Sequence, residues 1–303
     1  MRHRTRRRIL VGLLAVGIAT AAYLLLVRVR REDRHITVGW KNSVEQSILA
    51  EIVIQRIERS LGPGLVLRHP TLAGTQAAHQ ALVVNAVDIY PEYTGTALVG
   101  VLHLPASNES LAVREQVKEN YRTRFQIEWI GPLGFEATPG LATRRAFAER
   151  LKAPTIGALA SSPQGFRLAA SRDFEQCDCG LPLLARSYQL TLRGAPQLLD
   201  QAQAYTALNN LQVDAMAASA TDGWLESGNY TLLADDKQAF PANEAGILVR
   251  SSTLEKFPSL GGVLNGLCGR LDASTMRRMN AAVALGKRRP AEVAAEFLKS
   301  AGL

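Results

Sequence analysis

Side chains that commonly carry covalent or acid–base chemistry are sparse in this 303-residue chain. Of its five histidines, His3 and His35 flank an apolar stretch near the N-terminus, and His69, His79 and His103 are scattered. A histidine base needs a nucleophile beside it and a third group to hold its ring, and the sequence suggests neither. There is no G-x-x-x-x-G-K-[ST] loop, no G-x-G-x-x-G, no H-E-x-x-H and no G-x-S-x-G elbow. Cys177 and Cys179 form a C-x-C without a second ligand pair, whereas a zinc site takes about four thiolate or imidazole ligands. They read as small loop thiols or as one local bridge, and with Cys268 the odd count implies no disulfide framework. The expectation from these absences is a chain that is not an enzyme, with no cofactor and no metal.

The formal net charge of +8 invites a nucleic-acid reading, but its distribution removes it. Residues 1–34 hold nine arginines against Glu32 and Asp33, so that segment alone supplies +7 and the remainder is close to neutral. No nucleic-acid partner is expected. Within the segment, Arg2, Arg4, Arg6, Arg7 and Arg8 precede an uncharged apolar run over residues 9–27. As a helix that run would be about 28 Å long, enough for a bilayer core. A secretory signal has a shorter apolar core followed by a small-x-small cleavage site, which Ala19-Thr20-Ala21 offers. The run continues past it through Tyr23-Leu24-Leu25-Leu26-Val27, which favours an uncleaved inner-membrane anchor over a cleaved signal. No cysteine near the end of the run offers a lipid attachment point.

The elements that follow alternate. Residues 35–39 read as a strand, residues 45–61 as an amphipathic helix and Val66-Leu67 as a second strand. A helix opens at Gly74-Thr75-Gln76, and Val87-Asp88-Ile89-Tyr90 is a third strand, so a β-α-β-α-β block with a parallel three-layer sheet is expected. A second block follows: a strand over 155–159, a short helix over 166–174, a strand-like 189–192, a helix over 198–209 and a strand over 213–217. Both blocks run helix, short turn, then a V-D-x strand, at Val87-Asp88 and at Val213-Asp214. Residues 246–249 look like a returning strand, and 271–285 and 290–298 like closing helices. The chain reads as two similar α/β lobes.

Seven short strings then occur in one order. They are Val38-Gly39-Trp40-Lys41-Asn42-Ser43-Val44-Glu45-Gln46, Gly74-Thr75-Gln76, Val87-Asp88-Ile89-Tyr90-Pro91-Glu92-Tyr93-Thr94-Gly95-Thr96, Gly131-Pro132-Leu133-Gly134-Phe135, Ala220-Thr221-Asp222-Gly223, Asp235-Asp236-Lys237 with Phe240-Pro241, and Pro290-Ala291-Glu292-Val293-Ala294 with Phe297-Leu298. Together they resemble the glycine betaine/choline (osmoprotectant) substrate-binding proteins of ABC importers, over residues 35–303. The resemblance implies a two-lobed periplasmic binding protein fold of type II, with parallel-rich sheets, flanking helices and a hinge of two crossing strands. On it, residues 1–34 are the signal or anchor, 35–132 and 241–303 form lobe 1, and 133–240 form lobe 2. It also implies a monomer outside the cytoplasm, a small-molecule solute in the interlobe cleft, and an ABC permease with its ATPase as partner. The runner-up reading is an anchored sensory or scaffold domain that no longer transports, or a ligand other than an osmoprotectant.

Such proteins hold a quaternary ammonium against ring faces, each worth roughly 0.5–2 kcal/mol. Carried over by the resemblance, the ligand-binding candidates are Asn42, Gln46, Tyr90, Tyr93, Thr94, Tyr205, Thr221 and Asp222, joined by Trp40 as a compensating ring. Three family rings are replaced, by Pro139, Ser219 and Asn243, which weakens the expected cage. Glu136 stands in the departing segment, and a carboxylate facing the cleft there would favour a cation that carries N–H donors.

Overall fold

Two five-stranded sheets organise residues 35–303, which the computed structural model describes. In chain order the strands are β1 (Ile36–Val38), β2 (Val66–Arg68), β3 (Ile89–Tyr93), β4 (Ile127–Ile130), β5 (Pro139–Arg144), β6 (Leu168–Ala170), β7 (Gln197–Leu198), β8 (Ala215–Ser219), β9 (Tyr230–Leu232) and β10 (Ala245–Arg250). The helices are α1 (Val44–Leu61), α2 (Thr75–Val83), α3 (Ser110–Phe125), α4 (Arg145–Ala148), α5 (Ile156–Ala160), α6 (Arg172–Gln176), α7 (Leu181–Tyr188), α8 (Gln201–Asn209), α9 (Ser251–Lys256), α10 (Leu260–Asn265), α11 (Ala273–Ala284) and α12 (Pro290–Ser300). A π-helical turn spans Thr96–Val101 and a 3₁₀ turn spans Gly223–Ser227. The expected N-terminal anchor or signal lies outside the described residues. None of the described helices is long and apolar enough to cross a membrane.

The first sheet has the order β2-β1-β3-β10-β4 and the second the order β7-β6-β8-β5-β9. In each, three neighbouring strands are parallel and the fourth is antiparallel to both of its neighbours. The antiparallel strand is the one that arrives from the other lobe: β5 enters the second sheet after β4, and β10 returns to the first. The sheets are thus mixed, with four strands running one way and one the other. Where the chain crosses, residues 133–137 and 243–245 run antiparallel, with Ala137 N–H donating to Asn243 O (3.0 Å) and Ala245 N–H to Phe135 O (3.0 Å).

Helix α1 shows why these segments fold locally. Ser43 caps it, its Oγ accepting from Gln46 N–H at 3.2 Å. Ile48, Leu49, Ile52, Val53 and Ile57 are buried at three- and four-residue steps. Gly62 ends it at a φ of 122°, a conformation side chains with a Cβ rarely adopt. The helix packs beneath α12, α11 and α10 in the core of the first lobe.

The V-D-x strings are one device used twice. Ala86 and Val87 N–H groups donate to Ala81 O, and Gln212 and Val213 N–H groups to Ala207 O. Asn85 and Leu211 supply the left-handed residue in each turn. Asp88 Oδ2 then accepts from Thr37 N–H at 2.8 Å, and Asp214 Oδ2 from Arg167 N–H at 2.8 Å, each tying the new strand to its parallel neighbour. Burial works against the charge on Asp214, but hydrogen bonds from Arg167 and Arg193 outweigh it and hold the carboxyl at about 2. Replacing Asp214 by Ala should lower stability by about 1–3 kcal/mol, the cost of an orphaned backbone donor. Because the folded value is depressed, the wild-type advantage should be complete above the ordinary aspartate value near 3.9 and should fade as pH falls towards 2. Thermal unfolding of both proteins between pH 2 and 7 measures it.

Three elements of the second lobe differ from the sequence reading. Residues 155–159 are not a strand: Thr155 accepts from Ala158 N–H and starts α5, whose Ile156 and Leu159 are buried one turn apart. Residues 166–174 are strand first and helix afterwards. Leu168, Ala169 and Ala170 are buried together as β6, and Ser171 then caps α6 by accepting from Phe174 N–H. A short apolar run has no periodicity to tell strand from helix. Residues 189–192 follow a left-handed Gln189 that ends α7 and form only a single bridge, Phe166 to Leu192.

Candidate functional site

A cleft of about 900 Å³ opens between the lobes. Its walls come from the carboxyl ends of parallel strands: Lys41–Gln46 after β1, Tyr93 at the end of β3, Ala170–Phe174 after β6, and Met216–Ser219 in β8. Ligands of open α/β sheets bind at such ends, where loops diverge and helix N-termini converge. A second hollow of about 500 Å³ runs along the edge strand β4 beside Lys118, Glu128 and Asn265, with no opposed lobe to close it.

The lobes meet on both sides of the cleft. On one side the N-terminus of α2 has no side-chain cap of its own. Asp173, from the other lobe, supplies it: Thr75 N–H donates to Oδ1 (2.9 Å) and Thr75 Oγ1 to Oδ2 (3.1 Å). Next to this contact a disulfide joins Cys177 to Cys179 and faces Gly100, where a Cβ would stand 2.7 Å from Cys177 Sγ. On the other side Arg277 Nε and Nη2 donate to Ala220 O (3.0 and 2.7 Å), and Asn280 Nδ2 to Thr221 O (2.8 Å). Gly223 lies under α11 so closely that a Cβ would meet Ala281 N at 2.3 Å.

The polar groups of the cleft form two poles. At one, Lys41 Nζ donates to the buried Glu92 Oε1 at 2.6 Å and stands 5.3 Å from the centre of the Tyr93 ring. Burial raises the Glu92 carboxyl above its ordinary value, and the ammonium of Lys41 draws it back only in part. At the other, Glu45 accepts from Tyr93 Oη at 2.6 Å and from Asn280 Nδ2 at 2.7 Å. Asp222 accepts from Tyr205 Oη, Gln201 Nε2 and Trp224 N–H. Burial raises both carboxyls, and hydrogen bonds oppose it.

This architecture matches known binding proteins. Residues 34–300 match the family described as the substrate binding domain of ABC-type glycine betaine transport systems. The chain belongs to that family. It is 30% identical to the glycine-betaine-binding protein of Pseudomonas aeruginosa, covering 95% of this chain and 91% of that one. It is also 30% identical, over 94% of its length, to the ergothioneine transport permease/ergothioneine binding protein EgtU of Helicobacter pylori, of which it spans 51%. The fold is that of the crystal structure of a glycine betaine/carnitine/choline ABC transporter, with a TM-score of 0.70 at 24% identity over 88% of this chain and 98% of that one. Members of the family are extracytoplasmic substrate-binding components of ABC transport systems, and the relatives are solute-binding proteins.

Of the residues carried over from the family resemblance, Asn42, Gln46, Tyr93 and Asp222 line the cleft. The others stand behind its walls or at the hinge. Tyr90 is fully buried in the first-lobe core, and Trp40 packs against that lobe. Thr94 ties β3 to the hinge, its Oγ1 donating to Ala242 O and accepting from Glu244 N–H. Glu136 bridges Glu244 and accepts from Ser110 Oγ. Tyr205 is buried with its ring stacked on Trp224, centroids 4.7 Å apart, and Thr221 is buried beneath Asn280. The three positions that lack family rings, Pro139, Ser219 and Asn243, do line the cleft. Among the described residues its aromatic lining is Tyr93, Phe174 and Trp224.

Sequence reasoning passed over Lys41, Glu45, Asp173, Trp224 and Asn280. Lys41 and Glu45 sat inside a matched string and were legible there. Asn280 had no local signal, since it meets Glu45 across 235 positions of chain.

Proposed function

We infer that this protein captures a small cationic or zwitterionic solute in the interlobe cleft and presents it to an ABC permease with its ATPase. The observation that carries this reading is a cleft closed by hydrogen bonds from both lobes and lined by carboxylates, the cationic side chains of Lys41, Arg172 and Lys287, and the Tyr93 ring. Residues 35–132 and 241–303 form one moving body and 133–240 the other, and the antiparallel crossing at 133–137 and 243–245 is the hinge. The protein acts as a monomer, tethered to the inner membrane by residues 9–27.

The relatives' solutes set the test. Glycine betaine, choline, carnitine and ergothioneine, each added over a concentration series, should include at least one that raises the melting temperature. At a hundredfold excess over Kd the native state gains about 2.7 kcal/mol. Replacing Tyr93 by Ala should weaken that ligand by roughly 2- to 30-fold, the worth of one ring face. A flat response to all four, and to a wider set of amines and osmolytes, would remove the solute-capture reading. An unchanged affinity in the Tyr93 variant would remove that ring from the site.

A further inference from the structure

The pole where α11 meets the second lobe holds two buried carboxyls that, among the described residues, make no ion pair. Glu45 is 9% exposed and Asp222 3%, and both line the cleft. Their partners are hydroxyls, amides and one backbone N–H, all neutral: Tyr93, Asn280 and the Thr221 hydroxyl on Glu45, and Tyr205, Gln201 and Trp224 on Asp222. Among the described residues no ion pair reaches either carboxylate. Of the cationic side chains that line the cleft, Lys41 is engaged with Glu92 and Lys287 with Ala284 O, and Arg172 makes no ion pair with Glu45 or Asp222. Buried carboxylates without a counter-charge cost free energy, and a bound cation would relieve it.

An independent feature says what sort of cation. Asn280 also lines the cleft and is 4% exposed. Both hydrogens of its amide are committed, to Glu45 Oε2 (2.7 Å) and Thr221 O (2.8 Å), which fixes the orientation of the amide. Its Oδ1 is buried and has no donor. A quaternary ammonium brings no N–H and would leave that oxygen unpaired. An ammonium or guanidinium would satisfy it and at the same time hydrogen-bond the free lone pairs of the carboxylates. The replaced rings at Pro139, Ser219 and Asn243 agree, since they remove the surfaces a permethylated cation would use.

We propose that the cleft selects a cation with N–H donors, seated between Glu45, Asp222 and Asn280 Oδ1, over its permethylated counterpart. The proposal rests on the solute-capture reading and names the ligand class of that same site. Gln46 complements it: its Oε1 accepts from Lys41 N–H, and its buried Nε2 has no acceptor. A ligand oxygen would supply one, so a zwitterion with an N–H-bearing cationic end fits best.

Matched pairs test this by calorimetry at one pH: dimethylglycine against glycine betaine, ethanolamine against choline, and arginine against its permethylated guanidino analogue. The N–H-bearing member of a binding pair should be about 10- to 100-fold tighter, the range of one or two charge-assisted hydrogen bonds. Glu45→Gln should erase most of that preference by removing the charge while keeping the size. Asn280→Ala, checked for folding by its melting curve, should narrow it independently. Permethylated ligands binding as tightly as their partners, or a preference that survives both substitutions, would overturn the proposal and leave solute capture standing. Failure of every pair to bind, together with the relatives' solutes, would overturn both.

Discussion

Replacing Lys41 by Met should lower the stability of the protein at pH 7.5 by about 3–5 kcal/mol, the usual cost of stripping a buried carboxylate of its partner. Glu92 is fully buried, its Oε1 held by Lys41 Nζ and by Tyr93 N–H, and its Oε2 has no partner. For a chain of this size the loss corresponds to a fall in melting temperature of roughly 10 °C. The pH dependence follows from the direction of the Glu92 shift. Burial already raises that carboxyl, and without Lys41 nothing cationic opposes it. A carboxyl whose folded value is raised is tolerated in the fold while protonated, and it costs stability as pH rises through that value. The Lys41→Met deficit should therefore be largest near pH 8 and shrink towards pH 5. Adding Glu92→Gln should recover most of the loss. Equal melting temperatures for the single and double variants would mean that the pair is not the source, and an unchanged melting temperature in Lys41→Met would remove its structural role.

Replacing Gly223 by Val should separate closing from folding. The 3₁₀ turn that starts at Gly223 belongs to the second lobe, whereas Met276 and Met279 of α11 are packed into the first-lobe core. Backbone of α11 at Asn280 and Ala281 lies 2.3–2.7 Å from where a Cβ would stand, and backbone cannot swing aside as a side chain does. Overpacking of this kind costs about 1–3 kcal/mol. Here it falls on the closed arrangement, because each lobe keeps its own core when they part. Ligand affinity should fall by roughly 5- to 150-fold. The radius of gyration by small-angle scattering should rise, and the melting temperature of the ligand-free protein should move little. A wild-type affinity together with an unchanged radius would show that this contact does not limit closure.

Both predictions concern contacts between segments far apart in the chain, and that is where sequence reading ran short. The twin lobes were legible because their devices are local. An N-cap, an apolar stripe and an aspartate at the head of a strand leave their marks within about a dozen residues. The same explains the miss over residues 155–174. Ile156, Leu159, Leu168 and Ala169 are all buried, and short apolar runs fit a strand or a helix equally until neighbours decide. The candidate site divided along the same line. Tyr93 and Asp222 reach the cleft from the ends of local motifs. Tyr90 and Tyr205 are turned into cores: the Tyr205 hydroxyl finds Asp222 inside, as buried tyrosines commonly do, whereas Tyr90 is buried among apolar side chains of the first lobe.

By itself the sequence determined two similar α/β lobes, because helix periods, caps and turns are written in neighbouring residues, and its ordered motifs carried the resemblance to the binding proteins of ABC systems. Only the tertiary structure decided which side chains share the cleft, that Cys177 and Cys179 are bonded there, and that Glu45 and Asp222 face it with Asn280 bonded to Glu45 and to Thr221 O. Glu45 from α1 and Asn280 from α11 meet within the first lobe across 235 positions of chain, and closure brings Thr221 of the second lobe to Asn280. The first of these contacts depends on how α11 returns onto α1 within the first lobe and the second on how the two lobes meet, and no local pattern of residue types encodes either.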